Sequence, residues 1–371
     1  MSFSSEDHRF MARALQLARR GLYTTDPNPR VGCVLVREGE IVGEGWHRRA
    51  GEPHAERIAL QAAGARAQGA TAYVTLEPCS HHGRTPPCAD ALVEAGVARV
   101  VAASVDPNPM VSGRGLARLR AAGIQVESGL LEAAARQLNP GFFKRMSEGR
   151  PWVRIKLAMS LDGRTAMADG ESRWITGDAA RRDVHRLRAR SSAIVTGIGT
   201  VLADDPSLNV RLPPEALPGV DAAASLRQPA RVVLDSGLRI PEDAKLLSPP
   251  ADAWVFHSHG DSEKAKRLAD RGVRLVRLEG GIDLPRVMGA LAEAEVNEVL
   301  IEAGPTLAGA ALAGGVVDEL IFYMAPHLMG HRARGLFHLP EIERMADRVP
   351  LRIEDVRAVG ADWRITARPA S

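Results

Sequence analysis

Short apolar runs alternate with helical periods along nearly the whole chain, and the alternation occurs as two sets separated by one break. Such a pattern buries a sheet beneath helices. A chain of 371 residues exceeds one ordinary core and suits two. In the first set, residues 6–20 predict an amphipathic helix. Phe10, Ala14, Leu17 and Gly21 share a stripe, acids open the helix, Arg19 and Arg20 close it, and Gly21 is read as its C-cap. Residues 31–36 and 41–46 predict strands paired about a Glu38-Gly39 turn. Helices at 54–67, 87–95 and 114–122 then alternate with strands at 70–76, 98–105 and 124–127. After a helix broken at Pro140, the stretch Ser147-Glu-Gly-Arg-Pro151 carries turn residues without an apolar period. The boundary is set there, giving domains 1–147 and 148–371. The second domain predicts strands at 152–159, 193–196, 231–234, 254–257, 273–278, 298–301, 320–324 and 363–367, with residues 212–228 as an excursion loop. Asp-Pro-Asn-Pro occurs at 26–29 and again at 106–109, which is repeated turn chemistry rather than a duplicated domain.

Hydrophobic residues at 45% and charged residues at 25% place both halves among globular domains. The net charge of +3 comes from 48 basic and 45 acidic residues that are interspersed, and only 4% of residues are aromatic. Neither a basic nucleic-acid footprint nor a base-stacking platform follows from that. The N-terminus has no basic leader, and no run of about 18 apolar residues occurs, so no membrane association is expected. Three cysteines, Cys33, Cys79 and Cys88, form no disulfide framework. A reducing cytoplasm is the expected compartment, with metal ligation open to the thiols.

The most specific motif is His54-Ala55-Glu56 at a helix start, followed by Pro78-Cys79 after a strand and Cys88 at the next helix start. One imidazole and two thiolates leave the fourth position of a tetrahedral zinc open to water, as in catalytic sites. Zinc lowers the pKa of such a water to about 7. Glu56, two residues from His54, can shuttle protons without being a ligand. Nucleobase deaminases carry this pattern as His-x-Glu with Pro-Cys-x-x-Cys. Here eight residues, from Ser80 to Pro87, separate the cysteines, which marks a subgroup and argues against a nucleic-acid-editing enzyme. Cys33, within a strand, reads as a small buried hydrophobe. Glu77 reads as a strand-end charge without a catalytic role, and His81 and His82 on their own are as readily solvated loop residues as ligand contacts.

Asp26-Pro-Asn-Pro-Arg-Val-Gly, Pro53-His-Ala-Glu and the segment from Thr75 to Cys88 together resemble the bacterial riboflavin-biosynthesis deaminase/reductases. The resemblance implies a cytidine-deaminase-like α/β domain with zinc on His54, Cys79 and Cys88, catalytic Glu56, and a pyrimidine ring near Asn28, His81 and His82.

It also covers the second half, through the segments 156–163, 170–176, 196–206 and 302–307. Gly197 and Gly199 follow a strand and Gly304-Pro305 opens a helix, so backbone amides could meet a pyrophosphate, yet neither site is Gly-x-Gly-x-x-Gly. The resemblance implies a dihydrofolate-reductase-like α/β domain. It places NADPH at Ala158, Trp174, Thr200, Asp204, Ser236 and the run Gly304, Pro305, Thr306, Leu307, Ala308, Gly309 and Ala310. It places substrate at Ser172, Arg188, Leu208, Arg211 and Glu302. Arg188 and Arg211 suit a 5′-phosphate through bidentate hydrogen bonds, although solvated arginines are common. Lys156 is the candidate to polarise or protonate the sugar, ahead of Asp204, with a structural ion pair as its alternative role. The implied substrate is a small phosphoribosylaminopyrimidine, deaminated and then reduced at the ribosyl C1′. A homo-oligomer is compatible with the sequence.

Overall fold

A computed structural model describes residues 3–80, 87–221, 226–248 and 252–370. The chain divides into two units, Met1–Gly149 with Pro213–Ser225, and Arg150–Leu212 with Leu226–Ser371. The sequence assigned everything after 147 to one domain, and the 213–225 excursion differs from that. Leu217 is buried, and a Cβ on Gly219 would lie 2.3 Å from the Arg20 carbonyl oxygen. Packing of this kind joins residues far apart in the chain and leaves no local period to read.

The first unit opens with the helix Ser5–Arg19. Its capping box is complete: Asp7 N–H donates to Ser4 Oγ and Ser4 N–H donates to the Asp7 carboxylate. The helix ends at Arg20 in helical conformation, so Gly21 is not its C-cap. Gly21 is instead needed for close packing, since a Cβ there would meet Thr25 at 2.7 Å and the His47 carbonyl at 2.9 Å. Five strands follow, β1 (Gly32–Arg37), β2 (Glu40–Trp46), β3 (Thr71–Val74), β4 (Arg99–Ala102) and β5 (Gln125–Ser128), in the order β2-β1-β3-β4-β5. β1 is antiparallel to both its neighbours and β3, β4 and β5 are parallel. The β1–β2 turn has positive φ at both Glu38 and Gly39, the geometry that a tight hairpin requires. The helix Ala55–Ala63 lies directly on β2, because Cβ atoms on Gly43 and Gly45 would each come within 2.3 Å of a helix carbonyl. The broken last helix is observed as Glu132–Leu138 and Pro140–Glu148. The Asn139 side chain anchors the break by pairing with both backbone groups of Arg30.

The second unit contains β6 (Trp152–Ser160), β7 (Arg164–Ala166), β8 (Ala193–Gly197), β9 (Ala230–Leu234), β10 (Ala253–His257), β11 (Arg274–Arg277), β12 (Glu298–Ile301), β13 (Glu319–Ala325), β14 (Arg334–Gly335), β15 (Leu351–Val359) and β16 (Asp362–Pro369). Nine of them form one sheet, ordered β11-β10-β9-β8-β12-β6-β13-β16-β15, and β7 pairs with β14 apart from it. All pairings from β11 to β13 are parallel, whereas β16 is antiparallel to β13 and β15. The chain starts centrally at β6, runs outward through β8 to β11, and returns to insert β12 between β8 and β6. Ligands bind at the carboxyl ends of parallel strands where strand order reverses in this way. Val153, Ile155 and Leu157 of β6 join the core on one face. Ile194, Leu300, Ile321 and Tyr323 pack on the other. β15 escaped the sequence reading because eight of its nine residues are exposed, which erases the alternation that marks a half-buried strand. Among the described residues, no helix is long and apolar enough to cross a membrane.

Candidate functional site

In the first unit His54 is the N-cap of Ala55–Ala63, Cys79 follows β3, and Cys88 opens the helix Cys88–Glu94. These elements bring His54 Nδ1 to 3.6 Å from Cys79 Sγ and 3.3 Å from Cys88 Sγ, and all three candidate ligand atoms lie within 4.8 Å of one another. With Zn–S near 2.3 Å and Zn–N near 2.0 Å, tetrahedral angles separate ligand atoms by about 3.5 Å, so the set fits zinc. The Cys88 backbone N–H also donates to Cys79 Sγ at 3.3 Å. The Cys79 thiol is pushed down to about 4, first by its hydrogen bond from the Cys88 thiol and then by His54, against the opposing effect of burial. The same shared proton, together with burial, pushes Cys88 up. A dication bound here would replace that proton, with both sulfurs as thiolate ligands. Cys33 is fully buried in β1 and stands outside the cluster.

Glu56 is buried in the first turn of the same helix. Burial raises its carboxyl to about 7, while the His54 charge opposes the rise. Asn28 Nδ2 lies 3.0 Å from His47 Nε2, and the other ring nitrogen of His47 lies 3.2 Å from the Pro53 carbonyl. The His47 ring meets His54 edge-on at 5.3 Å. The sequence reading missed His47; its signal was a histidine ending a strand seven residues before a ligand. His81 and His82 lie outside the described residues. Glu77 is no mere strand-end charge: its buried carboxylate accepts from the backbone N–H groups of Asp106, Gly113, Gly115 and Leu116. That clamp ties the residue two before Cys79 to the second Asp-Pro-Asn-Pro loop.

In the second unit Arg188 ends the helix Asp178–Arg190 and grips Glu302, just past β12, through Nε (2.6 Å) and Nη2 (3.0 Å). Its Nη1 donates to the Asn209 carbonyl. Arg188 is therefore engaged on a carboxylate and a backbone carbonyl in this structure. Arg211 is exposed and its Nη1 donates to Asn209 Oδ1 at 2.8 Å. Lys156 projects from β6 beside this pair. Burial pushes its ammonium down, Glu302 opposes that and Arg188 adds to it. His185, which the sequence reading also missed, lies one turn before Arg188 and its Nδ1 accepts from the Arg211 N–H. Burial and the two arginines push it down to about 4. Three cations thus face one carboxylate around a neutral imidazole, with Leu208 buried beside them. Of the expected substrate residues, Arg188, Leu208, Arg211 and Glu302 meet here with Lys156. Ser172 lies instead on the segment after β7.

The expected cofactor residues lie mainly along strand carboxyl ends. Ala158 is on β6, Thr200 and Asp204 are on the helix Ile198–Asp204 after β8, and Ser236 follows β9. Trp174 is 72% exposed with Arg181 over its ring, and the adjacent Arg173 donates to Asp204. The run from Gly304 to Ala310 does not act as one surface. Gly304 and Thr306 are exposed, Pro305 and Leu307 are half-buried, and the helix turns Ala308 and Gly309 inward. A Cβ on Gly309 would lie 2.0 Å from the His338 carbonyl. Side-chain contacts to a ligand at this helix start would come from the exposed positions, and backbone groups would serve at the buried ones.

Comparison with known proteins covers both units. Residues 4–104 match the cytidine and deoxycytidylate deaminase zinc-binding region, and residues 151–365 match the RibD C-terminal domain. The riboflavin biosynthesis protein RibD of Escherichia coli is 54% identical over 96% of this chain and 98% of its own length. That of Haemophilus influenzae is 50% identical over 100% and 99%. The solved structure of Acinetobacter baumannii RibD (form 1) superposes with a TM-score of 0.92 at 49% identity, covering 99% of each chain. The Thermotoga maritima deaminase/reductase does so with a TM-score of 0.85 at 32% identity, covering 98% and 99%. With a thiolate–imidazole cluster in one unit, a cationic cluster at the strand ends of the other, and such relatives along its full length, the chain belongs to the RibD family of bifunctional deaminase/reductases of riboflavin biosynthesis.

Proposed function

We propose that the first unit deaminates 2,5-diamino-6-(5-phosphoribosylamino)pyrimidin-4(3H)-one to 5-amino-6-(5-phosphoribosylamino)uracil, and that the second reduces the ribosyl group to ribityl with NADPH. The observation that carries the first step is the triangle of His54, Cys79 and Cys88 with buried Glu56 beside it. Zinc held by these three residues would supply a hydroxide nucleophile at neutral pH. Glu56 takes the proton of the attacking water and delivers it to the departing amino group, which leaves as ammonia. Its raised proton affinity suits an acid that must also act as base. Asn28, His47 and the His81–His82 segment bind the pyrimidine.

For the second step, the cationic cluster favours a phosphorylated sugar. Arg211 meets the 5′-phosphate, and the Arg188–Glu302 pair holds the sugar in register with Lys156. Residues at the ends of β8, β9 and β12 would hold NADPH, which would supply the hydride to C1′ of the opened ribose. Lys156 polarises or protonates the sugar, a role for which a desolvated ammonium is a ready donor. The two activities partition with the two units. Mass spectrometry of products from the diaminopyrimidinone, with and without NADPH, tests the scheme. It expects the aminouracil alone without the nucleotide and the ribityl product with it; any other order of masses refutes it.

A further inference from the structure

The amino ends of β6 and β13 border a cavity of about 420 Å³ whose lining includes Trp152, Val317, Asp318, Arg352, Arg368 and Pro369. It contains none of the residues assigned to zinc, nucleotide or substrate. A row of charged side chains crosses the sheet at this level. Register pairs Arg154 with Glu319, Leu320 with Ala367, and Arg352 with Arg368, which puts the four charged side chains on one face, together with Trp152. Arg154 is buried and its guanidinium donates to both Glu298 and Glu319. Those two acids are therefore committed before Arg368 is reached. Arg368 stands directly opposite Arg352, and like charges so placed destabilise a sheet unless something offsets them.

The offset present is partial. Arg352 Nε donates to Glu354 at 2.6 Å, which leaves the Nη edge that forks a phosphate directed elsewhere. Arg368 lies over the Trp152 ring, 5.1 Å from its centroid, and its buried Nε has no hydrogen-bond partner among the described residues. Asp318, the acid in the lining, directs Oδ2 to the Val153 N–H at 2.7 Å. An anion between the two guanidinium groups would complete the balance. The cavity has the volume of a small-molecule site, and Trp152, Val317 and Pro369 give it an apolar wall for a ring. Lys156 lies on the same face of β6, four residues beyond Trp152 and so about 13 Å along the strand, with the Arg154 ion pairs between them.

We propose that this cavity binds a small aromatic phosphate monoester, with the phosphate between Arg352 and Arg368 and the ring against Trp152, Val317 and Pro369, at a site separate from both reactions. It is tested by calorimetric titration of the full-length protein with phenyl phosphate, inorganic phosphate and phenol. The wild-type chain should bind phenyl phosphate more tightly than either of its parts. Arg368→Gln should weaken phenyl phosphate by about 10–100-fold, the loss of a charge-assisted hydrogen bond. Arg352→Gln, at an exposed side chain, should act in the same sense and keeps the test decisive if Arg368→Gln does not unfold cooperatively. Trp152→Leu should weaken phenyl phosphate and leave inorganic phosphate unchanged. Arg211→Ala, which removes a cation from the substrate cluster, should leave phenyl phosphate binding in this cavity intact, and ammonia release by Arg352→Gln should match wild type. Phenyl phosphate binding that survived both Arg352→Gln and Arg368→Gln, or that Arg211→Ala abolished, would overturn the assignment. So would a wild-type chain that took up no phenyl phosphate, including one in which a second copy of the chain covers the cavity.

Discussion

The zinc centre and the reductase cluster solve opposite electrostatic problems. In the first unit, one short stretch from His54 to Cys88 supplies all three side chains that could hold a metal, and helix starts and a strand end fix their spacing. The thiols share a proton that a bound dication would replace, so the charge that completes the site would come from outside. In the second unit, Lys156, His185, Arg188, Arg211 and Glu302 come from separate elements, and charge balance is internal: Arg188 holds Glu302 before any ligand arrives. A site compensated in this way can stand without its ligand, whereas one organised for a dication depends on it.

This contrast can be broken at graded cost. The largest effect is expected for Glu56→Gln, which should lose on the order of 10²–10⁴-fold in deamination yet keep its zinc. NADPH oxidation with pre-deaminated substrate should persist, and metal analysis beside ammonia release separates these outcomes. Next, Glu302→Gln leaves Arg188 buried without its counter-charge and should destabilise the second unit by about 3 kcal/mol. Thermal unfolding should show that transition moving while zinc content holds; an unchanged transition would mean the pair is not the internal balance described. Glu77→Gln removes half of a carboxylate that holds four backbone N–H groups, and should cost about 2 kcal/mol in the first unit alone. Denaturant unfolding of each unit reads this out.

Arg211→Ala should raise the reductase KM for the phosphorylated substrate about tenfold with little change for its dephosphorylated analogue. Equal losses on both would remove the phosphate role. The smallest effect is a pH dependence. His185 titrates at about 4 in the folded chain, because burial, Arg188 and Arg211 all favour its neutral form while Glu302 and the Asn209 backbone oppose them. Its unfolded value is about 6.5. The unfolded state therefore binds the extra proton first as pH falls, and stability of the second unit should decline between about pH 6.5 and 4. Melting temperatures across that window should flatten in His185→Gln; a slope identical to wild type would exonerate this histidine.

Much of the metal centre was legible because its residues lie at element ends that local patterns reveal. The His-x-Glu pair and the cysteines needed only a helix start and a strand end to converge. Glu77 was read only as a strand-end charge, since its four partners lie 29 to 39 residues onward and are all backbone groups, which carry no sequence signature. His47 and His185 were missed for a related reason: each matters through a neighbour that only folding supplies. β15 was invisible because its residues face solvent.

The sequence by itself marked two α/β units and the His54, Cys79 and Cys88 cluster with Glu56 beside it, because periodicity and short-range spacing are properties of neighbouring residues. Only the tertiary structure decided that the 213–225 excursion groups with the first unit and that Arg188 is held by Glu302. It also decided that Ala308 faces the core and that Gly309 packs against the His338 backbone. In each case the side chain's identity fixes what it can bond to. Which partner it meets depends on strand order and helix rotation, and those are set by burying the whole core at once.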